Sequence, residues 1–343
     1  MKYDVTIGIP VYKAVDYIEK TMESALCQTF ANIEYLVVDD CGNDGTIEVV
    51  ERFRREHQRG KNIHIIHNDQ NLGVGKSRNL IIEHAQGEFL YFLDSDDIIE
   101  PETITILMRA VQQYQADAVY ASYEKINTMH NNATVLYQNS FQYFNAPDEF
   151  PKFVFSQYRS FQVSVCNCLL RIELLRRSGL RFIDTMYWED VAFTYDLATK
   201  LQKVVLLPDV TYHYLCRPYS LSHYHDREFL QRNEILQNVT TIDYLKSQCC
   251  KLRSKTYAPN LCRALQMFSF YIVCYVLKSQ KRITPAITYR EMRQMMHYPL
   301  RLNDIMRFGQ MRMLNVALWL IPHLPVPFFI LTIRLLGKIK KVL

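Results

Sequence analysis

The sequence lacks the cysteine spacing of a structural zinc site. It contains nine cysteines in 343 residues, and no two of them form a CxxC pair. Cys166 and Cys168 are separated by one residue and Cys249 is adjacent to Cys250, so both pairs are poor disulfide partners. An odd number of scattered cysteines therefore indicates reduced thiols in a cytosolic compartment.

Other absences exclude further classes of protein. The chain shows no internal repeat and no low-complexity segment, and Asp4 interrupts the short apolar stretch that a secretory signal peptide would need. The hydrophobic share of 49% and the charged share of 22% are ordinary for a folded protein and argue against disorder. The formal net charge is only +5, whereas residues 301–343 alone carry +6, so the other 300 residues sum to −1. The remaining body is close to neutral, which argues against a nucleic-acid partner.

Short apolar runs alternate with helical patterns through the first third of the chain. The β runs are Val5–Ile9, Tyr35–Val38, Ile63–Ile66, Phe89–Leu93 and a strand that starts at Ala118–Tyr120. The intervening helical segments are Tyr17–Leu26, Thr46–His57, Val74–Ala85 and Pro101–Tyr114. This alternation predicts an α/β fold with a doubly wound, mostly parallel sheet flanked by helices. Ligands bind at the strand ends of such sheets.

The alternation weakens beyond Tyr123, where residues 127–147 are polar and predict a loop or hairpin. Later strands are expected at Cys166–Leu170, Val204–Leu207 and Thr211–Leu215. Later helices are expected at Glu189–Leu201, Phe229–Leu245, Leu261–Leu277 and Tyr289–Met296. We therefore predict a ligand-binding α/β domain over residues 1–225, a helical region over 226–310 and an apolar, basic tail over 311–343.

Two acidic motifs follow buried strands. Phe92-Leu93-Asp94-Ser95-Asp96-Asp97 places three carboxylates within four residues, and they repel one another unless a cation intervenes. Hard cations such as Mg2+ or Mn2+ favour these oxygen ligands, whereas the alternative is a solvated turn before a helix. The second motif is Asp39-Asp40, which a parallel sheet would bring to the same edge. A helix cap before Thr46 explains Asp44 but not that pair.

A glycine-bearing loop, Asn71-Leu72-Gly73-Val74-Gly75-Lys76-Ser77-Arg78-Asn79, leads into a helix. Gly75-Lys76-Ser77 matches the end of a P-loop, but Gln70 stands where its first glycine is required. Arg78 occupies the third glycine position of a dinucleotide fingerprint, so P-loop and NAD(P)-linked enzymes are both disfavoured. A helix N-terminus with Lys76 and Arg78 in its first turn suits a diphosphate. The alternative is a surface helix start with solvated charges.

A fourth motif, Tyr187-Trp188-Glu189-Asp190, precedes a predicted helix and contains one of the two tryptophans in the chain. A tryptophan beside carboxylates can stack on a sugar face while a carboxylate takes a hydroxyl proton. The alternative is a buried Trp188 followed by an acidic first turn of a helix.

Together these motifs resemble the family 2 glycosyltransferases of the GT-A fold, over roughly the first 225 residues. The matching segments, in order, are Ile9-Pro10-Val11-Tyr12, Ser24-x3-Gln28-Thr29, Val37-Val38-Asp39-Asp40 with Asp44-Gly45-Thr46, Asn71-x-Gly73 with Ser77-Arg78-Asn79, Ala85-x-Gly87-Glu88, Phe92 to Asp97, and Trp188-Glu189-Asp190. Tyr212-His213-Tyr214 with Ser220-Leu221-Ser222 resembles the loop that follows the base in this family. Cys41-Gly42-Asn43 and His213 depart from the common pattern of the family. His213 stands where an arginine is frequent, so the diphosphate contact of this loop is left to Arg217 or His223 as alternatives.

The resemblance implies a role for each matched residue. Asp40 would hydrogen-bond the nucleoside base, with Asp39 supporting it, and Asp190 would be the general base that Glu189 orients. Asp96 is expected nearest a divalent metal, Mn2+ or Mg2+, with Asp94 and Asp97 as further ligands. The full set of implied nucleotide-sugar contacts is Pro10, Tyr12, Asp39, Asp40, Asn71, Gly73, Lys76, Arg78, Asp94, Ser95 and Trp188.

The resemblance also implies a reaction, in which a sugar moves from a nucleotide-diphosphate donor, of UDP type, to an acceptor hydroxyl with inversion. Such chemistry requires a cation on the departing diphosphate and a carboxylate base. We expect the acceptor to be a glycan or lipid-linked glycan of a bacterial surface polysaccharide. One alternative is a non-catalytic nucleotide-sugar-binding or scaffold protein, which the intact acidic motifs oppose. Another is a sugar-phosphate nucleotidyltransferase, but that class needs a glycine-rich N-terminal loop, and the segment Ile7-Gly8-Ile9-Pro10 is not such a loop.

The C-terminal tail has the length of a membrane span but not its continuity. Met313–Ile333 contains no Asp, Glu, Lys or Arg, yet three prolines divide it into Leu314–Ile321 and Phe328–Leu336. Basic side chains follow at Arg334, Lys338, Lys340 and Lys341. We predict a peripheral anchor on the cytoplasmic, inner face of the cell membrane. The alternatives are a true span and a helix pair packed on the protein.

Overall fold

The computed structural model describes residues 2–127, 133–156, 161–216 and 227–343. The chain forms two compact units. The first comprises Met1–Phe150, Gln162–Asp184 and Asp196–Ser220, and the second comprises Pro151–Phe161, Thr185–Tyr195 and Leu221–Leu343. The segment that carries Trp188, Glu189 and Asp190 therefore belongs to the second unit.

The first unit is built around one large sheet. Its strands are β1 (Tyr3–Val11), β2 (Ile33–Asp39), β3 (Ile63–His67), β4 (Gly87–Phe92), β5 (Ile98–Ile99), β6 (Ala118–Asn127), β7 (Ala133–Tyr137), β8 (Gln142–Phe144), β9 (Cys168–Arg171) and β10 (Val204–Cys216). The helices up to residue 198 are α1 (Ile18–Leu26), α2 (Thr46–Glu56), α3 (Val74–His84), α4 (Thr103–Tyr114), α5 (Glu149–Ser156), α6 (Ile172–Arg177) and α7 (Glu189–Ala198). The residues of α5 and α7 divide between the two units.

The strand order is β3-β2-β1-β4-β9-β6-β10-β5, with β7 beside β6 and β8 beside β10. β1 pairs in parallel with β2 and β4, and β2 pairs in parallel with β3. β6 and β10 are also parallel, whereas β9 runs antiparallel to β4 and β6. The predicted doubly wound α/β sheet is confirmed, with antiparallel strands added. The carboxyl ends of β1, β2 and β4 meet at one edge, where the acidic motifs begin.

Continuous apolar strands explain why this sheet lies inside the unit. Ile7, Ile9 and Val37 are fully buried, as expected for parallel strands covered by helices on both faces. α3 packs directly on β1, because a Cβ at Gly8 would lie 2.3 Å from Cγ2 of Ile81. Glycine at this position allows the Ile81 side chain of α3 to lie directly against the β1 backbone.

The second unit is mainly helical. Its helices after residue 227 are α8 (Arg232–Leu252), α9 (Ala258–Ser279), α10 (Tyr289–Met295), α11 (Leu302–Ile305), α12 (Arg312–Leu320) and α13 (Val326–Ile339). Two short parallel strands, β11 (Leu230–Gln231) and β12 (Ile283–Thr284), join the start of α8 to the segment after α9. α8 packs on α9, and both helices bury apolar residues, including Ile242 and Leu265. A capping box of Thr288 and Glu291 starts α10.

The tail is interrupted where the prolines predicted a break, since α12 ends at Leu320 and α13 begins at Val326. The 14 residues of α13 rise about 21 Å, less than the roughly 30 Å of a bilayer core. α13 packs on α9 and α10, and it buries Phe329, Ile330 and Ile333. By length and composition, α9 is the described helix that matches a membrane span, and most of it is buried in the structure.

Candidate functional site

Asp40, directly after β2, is an interior carboxylate. It is 3% exposed. Its Oδ1 accepts hydrogen bonds from Asn68 Nδ2 and from the Leu72 amide, both at 2.8 Å. Its Oδ2 accepts from the Gly73 amide, also at 2.8 Å. Asp40 thus fixes the loop before α3, although the family resemblance implied a direct contact with a nucleoside base.

Asp39, at the end of β2, lies in a different environment from its neighbour. Its side chain is 15% exposed, and its Oδ2 lies 3.0 Å from Nδ1 of the exposed His67. Its Oδ1 accepts a hydrogen bond from the Cys41 amide at 3.1 Å. Of the two adjacent carboxylates, Asp39 is the one whose partner lies at the surface.

Pro10 and Tyr12 lie on either side of the last residue of β1. Pro10 is buried and opposite Val38, and Val11 is opposite Asp39 in the same ladder. Tyr12 is 44% exposed, and Lys13 Nζ lies 5.3 Å from the centre of its ring. An exposed aromatic ring at the strand end next to an acidic pair offers a surface on which a planar base can stack.

The loop before α3 is shaped by a glycine. Gly73 has φ +88° and its amide also lies 3.0 Å from Oδ1 of Asn71. A Cβ at Gly73 would meet no atom within 4 Å, so backbone conformation rather than space requires the glycine. The first amides of α3 that follow have no partner within the helix, which is the usual arrangement at an anion-binding helix start.

The two basic side chains near the start of α3 have different partners. Lys76 is 44% exposed and its Nζ lies 2.8 Å from Oδ2 of Asp184, which is 75% exposed. Arg78 is buried, donates from Nη2 to Oδ1 of Asp94 at 2.8 Å, and lies 5.5 Å from the ring centre of Phe182. The structure therefore brings Arg78 to the acidic motif and leaves Lys76 nearer the solvent.

Asp97 is separated from the other carboxylates of its motif by burial. It is 1% exposed, while Asp94, Ser95 and Asp96 are partly exposed. The Tyr212 hydroxyl donates to Oδ2 of Asp97 at 2.5 Å, and the Leu215 amide donates to Oδ1 at 2.9 Å. Burial, followed by the charge of Asp94, raises the pKa of Asp97 to about 8.

Asp94 and Asp96 remain as the partly exposed carboxylates of the predicted metal motif. Among the residues that the structure describes, no three His, Cys, Asp or Glu side chains form a group that could hold a metal ion by themselves. Mg2+ commonly uses only one or two carboxylates and completes its shell with water and phosphate oxygens. The hard oxygen donors of Asp94 and Asp96 fit a divalent cation that is shared with a bound diphosphate.

His213 is held between two carboxylates. Its Nδ1 lies 2.6 Å from Oε1 of Glu124, and its Nε2 lies 2.6 Å from Oε1 of Glu100. Both ring nitrogens of His213 are therefore engaged by carboxylates of the protein. The alternatives Arg217 and His223, with Ser220-Leu221-Ser222, lie outside the described residues.

The Trp188-Glu189-Asp190 motif starts α7, as predicted. Trp188 has φ +61°, a region that costs energy for a residue with a side chain, and its ring packs edge-on against Phe268 at 5.8 Å. Glu189 is 7% exposed, whereas Asp190 is partly exposed. Asp190 Oδ1 accepts a hydrogen bond from the Val191 amide at 2.8 Å. The turn holds two adjacent carboxylates in different degrees of burial.

Sequence reasoning missed the partners that fix these carboxylates. Tyr212 lies 115 positions from Asp97, and His67 and Asn68 come from the end of a different strand than Asp39 and Asp40. Nothing local in the sequence indicates such pairs, although the end of a parallel neighbour strand is a place where they can be sought.

Comparison with known proteins identifies the family of the chain. The glycosyl transferase family 2 model matches residues 6–179. The chain is 40% identical over 93 residues to the putative teichuronic acid biosynthesis glycosyltransferase TuaG of Bacillus subtilis (strain 168), a match that covers 27% of this chain and 36% of that protein. It is 25% identical over 335 residues to the uncharacterized glycosyltransferase EpsJ of the same organism, covering 95% of each. The chain spans little more than a third of the first curated relatives, 36% of TuaG and 38% of GlyG from Streptococcus pneumoniae.

Solved structures share the fold. Staphylococcus aureus TarS 1–349 in complex with UDP-GlcNAc aligns with a TM-score of 0.68 at 18% identity, over 93% of this chain and 89% of that one. The mannosyltransferase PcManGT from Pyrobaculum calidifontis in complex with GDP-Man and Mn2+ aligns with a TM-score of 0.50 at 17% identity, over 81% and 75%. These likenesses confirm the predicted GT-A-type fold. Because the family model matches more than half of its residues, the chain belongs to glycosyl transferase family 2.

Proposed function

We propose that this chain transfers a sugar from a nucleoside diphosphate donor, of UDP type, to an acceptor hydroxyl with inversion. The observation that carries the proposal is the edge where β1, β2 and β4 end, which presents Tyr12, Asp39, Asp94 and Asp96 beside the start of α3. The solved TarS structures, which bind UDP-GlcNAc and UDP, support the choice of donor.

The donor contacts follow from exposure and hydrogen bonding. Tyr12 and Pro10 would bound the nucleoside, and Asp39 would accept a hydrogen bond from its base. Asp40 would act through the loop that it fixes, where the amides near Asn71 and Gly73 face the diphosphate. Lys76, at the solvent side of α3, would place its cation on the same group.

Asp96 and Asp94 would hold a divalent cation, Mn2+ or Mg2+. Ser95, which lies between them in the sequence, would contact the donor. When bound, such a cation offsets the negative charge that develops on the departing diphosphate. Arg78 orients Asp94 through their 2.8 Å contact. Asp97, implied as a third ligand, instead has both oxygens occupied by Tyr212 and Leu215, so we propose that it fixes the motif from the interior.

The acceptor side is assigned to the start of α7. Asp190 would remove the proton of the acceptor hydroxyl as attack proceeds, since that hydroxyl is a weak nucleophile. The buried Glu189 would orient Asp190 or the acceptor, and Trp188 would stack on a sugar face. The strained backbone of Trp188 supports a functional role for this turn.

We place the enzyme at the inner surface of the cell membrane, acting on a lipid-linked glycan of surface polysaccharide synthesis. The name of TuaG, a teichuronic acid biosynthesis glycosyltransferase, supports the polysaccharide class. α13 buries one face but also exposes an apolar stripe of Phe328, Leu331, Leu335 and Ile339. An exposed apolar stripe with lysine and arginine neighbours suits an anionic lipid surface.

The test is release of nucleoside diphosphate from a panel of UDP-, GDP- and dTDP-sugars, with Mn2+ or with EDTA. We expect metal-dependent release from one donor, reduced about a hundredfold in Asp96→Ala. Glu56→Ala removes an exposed carboxylate at the end of α2 and should leave release unchanged. Absence of release together with absence of donor binding by calorimetry would contradict the transferase and favour a scaffold protein.

A further inference from the structure

The helical unit contains a charged surface of its own, formed by residues between Cys250 and His323. A cavity of about 990 Å³ is lined by the ends of α8 and α10, residues 297–304 and the turn after α12. Arg253, Arg293 and Arg301 line it together with His297 and His323. Among the described residues that line the cavity, Asp304 supplies the sole carboxylate. The cavity is therefore basic, in contrast to the edge of the sheet.

The three arginines are available to a ligand. Arg253 uses Nη1 on the Cys250 carbonyl at 3.2 Å, and Arg293 uses Nη1 on the Leu324 carbonyl at 3.3 Å. Within residues 227–343, none of the three forms an ion pair with a carboxylate, whereas Arg227 and Arg232 do. A guanidinium carries five N–H donors in a fixed fork, and that fork matches the oxygens of a phosphate group.

One wall of the cavity belongs to the helix pair of the tail. Trp319 and His323 stack with ring centres 4.0 Å apart, and His323 Nδ1 lies 2.8 Å from the Trp319 carbonyl. Trp319 lies in the last turn of α12, and His323 lies between α12 and α13. Leu320, which follows Trp319, is 49% exposed. The exposed apolar stripe of α13 begins eight residues later, at Phe328. A basic cavity thus borders, along the chain, the surface proposed to face lipid.

We propose that this cavity binds the diphosphate headgroup of a membrane lipid, with Arg253, Arg293 and Arg301 donating to its oxygens. The inference rests on the proposed function, because a lipid-linked acceptor presents such a headgroup at the membrane surface. It adds the place where the acceptor is held by its phosphates rather than by its sugar. The apolar chain of the lipid would leave along the α13 stripe.

The test measures binding of the full chain to inorganic pyrophosphate by calorimetry and to two kinds of vesicle by flotation. One vesicle is phosphatidylcholine alone and the other also contains a polyprenyl diphosphate. We expect the Arg253→Gln/Arg293→Gln/Arg301→Gln variant to lose about tenfold or more in affinity for pyrophosphate and for the diphosphate vesicles. The matched control Lys278→Gln/Arg290→Gln/Arg307→Gln removes the same charge from exposed positions outside the cavity and should bind like the wild type.

Further arms separate the source of the phosphate and the proposed activity. Leu331→Gln/Leu335→Gln should weaken binding to vesicles but keep binding to pyrophosphate. The lipid assignment would be overturned if the wild type bound both vesicle types equally and this variant did so as well. Equal losses in the cavity variant and the control would overturn the site itself. Donor hydrolysis is measured in every variant, since it tests the proposed function and should survive all these changes. A thermal melt of each variant shows that it is folded.

Discussion

Each of the two units buries an ionisable side chain whose pKa lies near 8, and the two values are reached from opposite directions. In the first unit, burial and the charge of Asp94 raise the pKa of Asp97 from 3.8 to about 8. In the second unit, burial lowers the pKa of Lys246 from 10.5 to about 8. The two side chains are 1% and 2% exposed. Loss of water disfavours the charged form of each group, so one cause gives shifts of opposite sign.

The neighbours of the two groups differ more than their burial does. Asp97 lies near a second carboxylate, Asp94, which adds to the rise of its pKa. Lys246 donates from Nζ to the Met295 carbonyl at 2.9 Å, and the charge of Asp243 opposes the fall of its pKa. The first unit thus keeps two carboxyl groups close together, next to the place where a cation and a diphosphate are proposed to bind. The second unit compensates its buried charge internally.

The largest effect is expected from the candidate base of the second unit. Asp190→Asn should lower the rate of sugar transfer to an acceptor by about 10²–10⁴-fold, because the hydroxyl loses its proton acceptor. The donor affinity, which we assign to residues of the first unit, should stay unchanged. Transfer is measured with excess acceptor, and donor binding by calorimetry. Glu228→Gln, an exposed change in the second unit, is the control, and a parallel loss of donor binding in Asp190→Asn would contradict the assigned role.

Removal of the Tyr212 hydroxyl should give the next largest effect. Tyr212→Phe leaves Oδ2 of the buried Asp97 without the donor that it has in the structure. We expect the free energy of unfolding to fall by about 1–3 kcal/mol, measured by urea denaturation. Tyr143→Phe removes a part-buried hydroxyl that donates to the Tyr114 carbonyl and should cost less. Equal losses in the two variants would show that the burial of Asp97 has no special effect.

The pH dependence of stability should differ in sign between the two buried groups. Between pH 3.8 and about 8, native Asp97 keeps a proton that the unfolded chain has released, so stability falls as pH rises. Between about pH 8 and 10.5, unfolded Lys246 holds a proton that the native state has lost, so stability rises with pH. Asp97→Asn and Lys246→Met should each flatten their own window in denaturation curves recorded with EDTA. A variant that keeps the wild-type slope in its window would contradict the assignment.

The sheet was predictable because its signals are local. β2 and β3 end at a polar or charged residue, Asp39 and His67, and α1 to α4 begin and end within two residues of their predicted bounds. Two predicted strands merged into β10, because the residues on both sides of an irregular stretch at Pro208 and Asp209 pair with β6. Local pattern therefore predicts where elements occur, but not every connection between them.

The partners within the site were not predictable in the same way. The sequence presents Asp39 and Asp40 as equivalent neighbours, and only the fold places Asn68 and the Leu72 amide on Asp40. The arginines of the cavity come from three separate segments and form no motif. Contacts between residues far apart in sequence depend on packing, which hydrophobic periodicity does not encode.

The smallest effect on stability is expected at Lys76, and it distinguishes a surface charge from a buried one. The pair of Lys76 and Asp184 is 44% and 75% exposed, so Lys76→Gln should change the free energy of unfolding by no more than about 1 kcal/mol. Donor affinity should still fall, by up to about tenfold, because the diphosphate loses a cation. Asp184→Asn removes the same ion pair but keeps the lysine, so calorimetry should show unchanged or tighter donor binding. Equal weakening in both variants would mean that the ion pair itself, rather than the charge of Lys76, supports the donor.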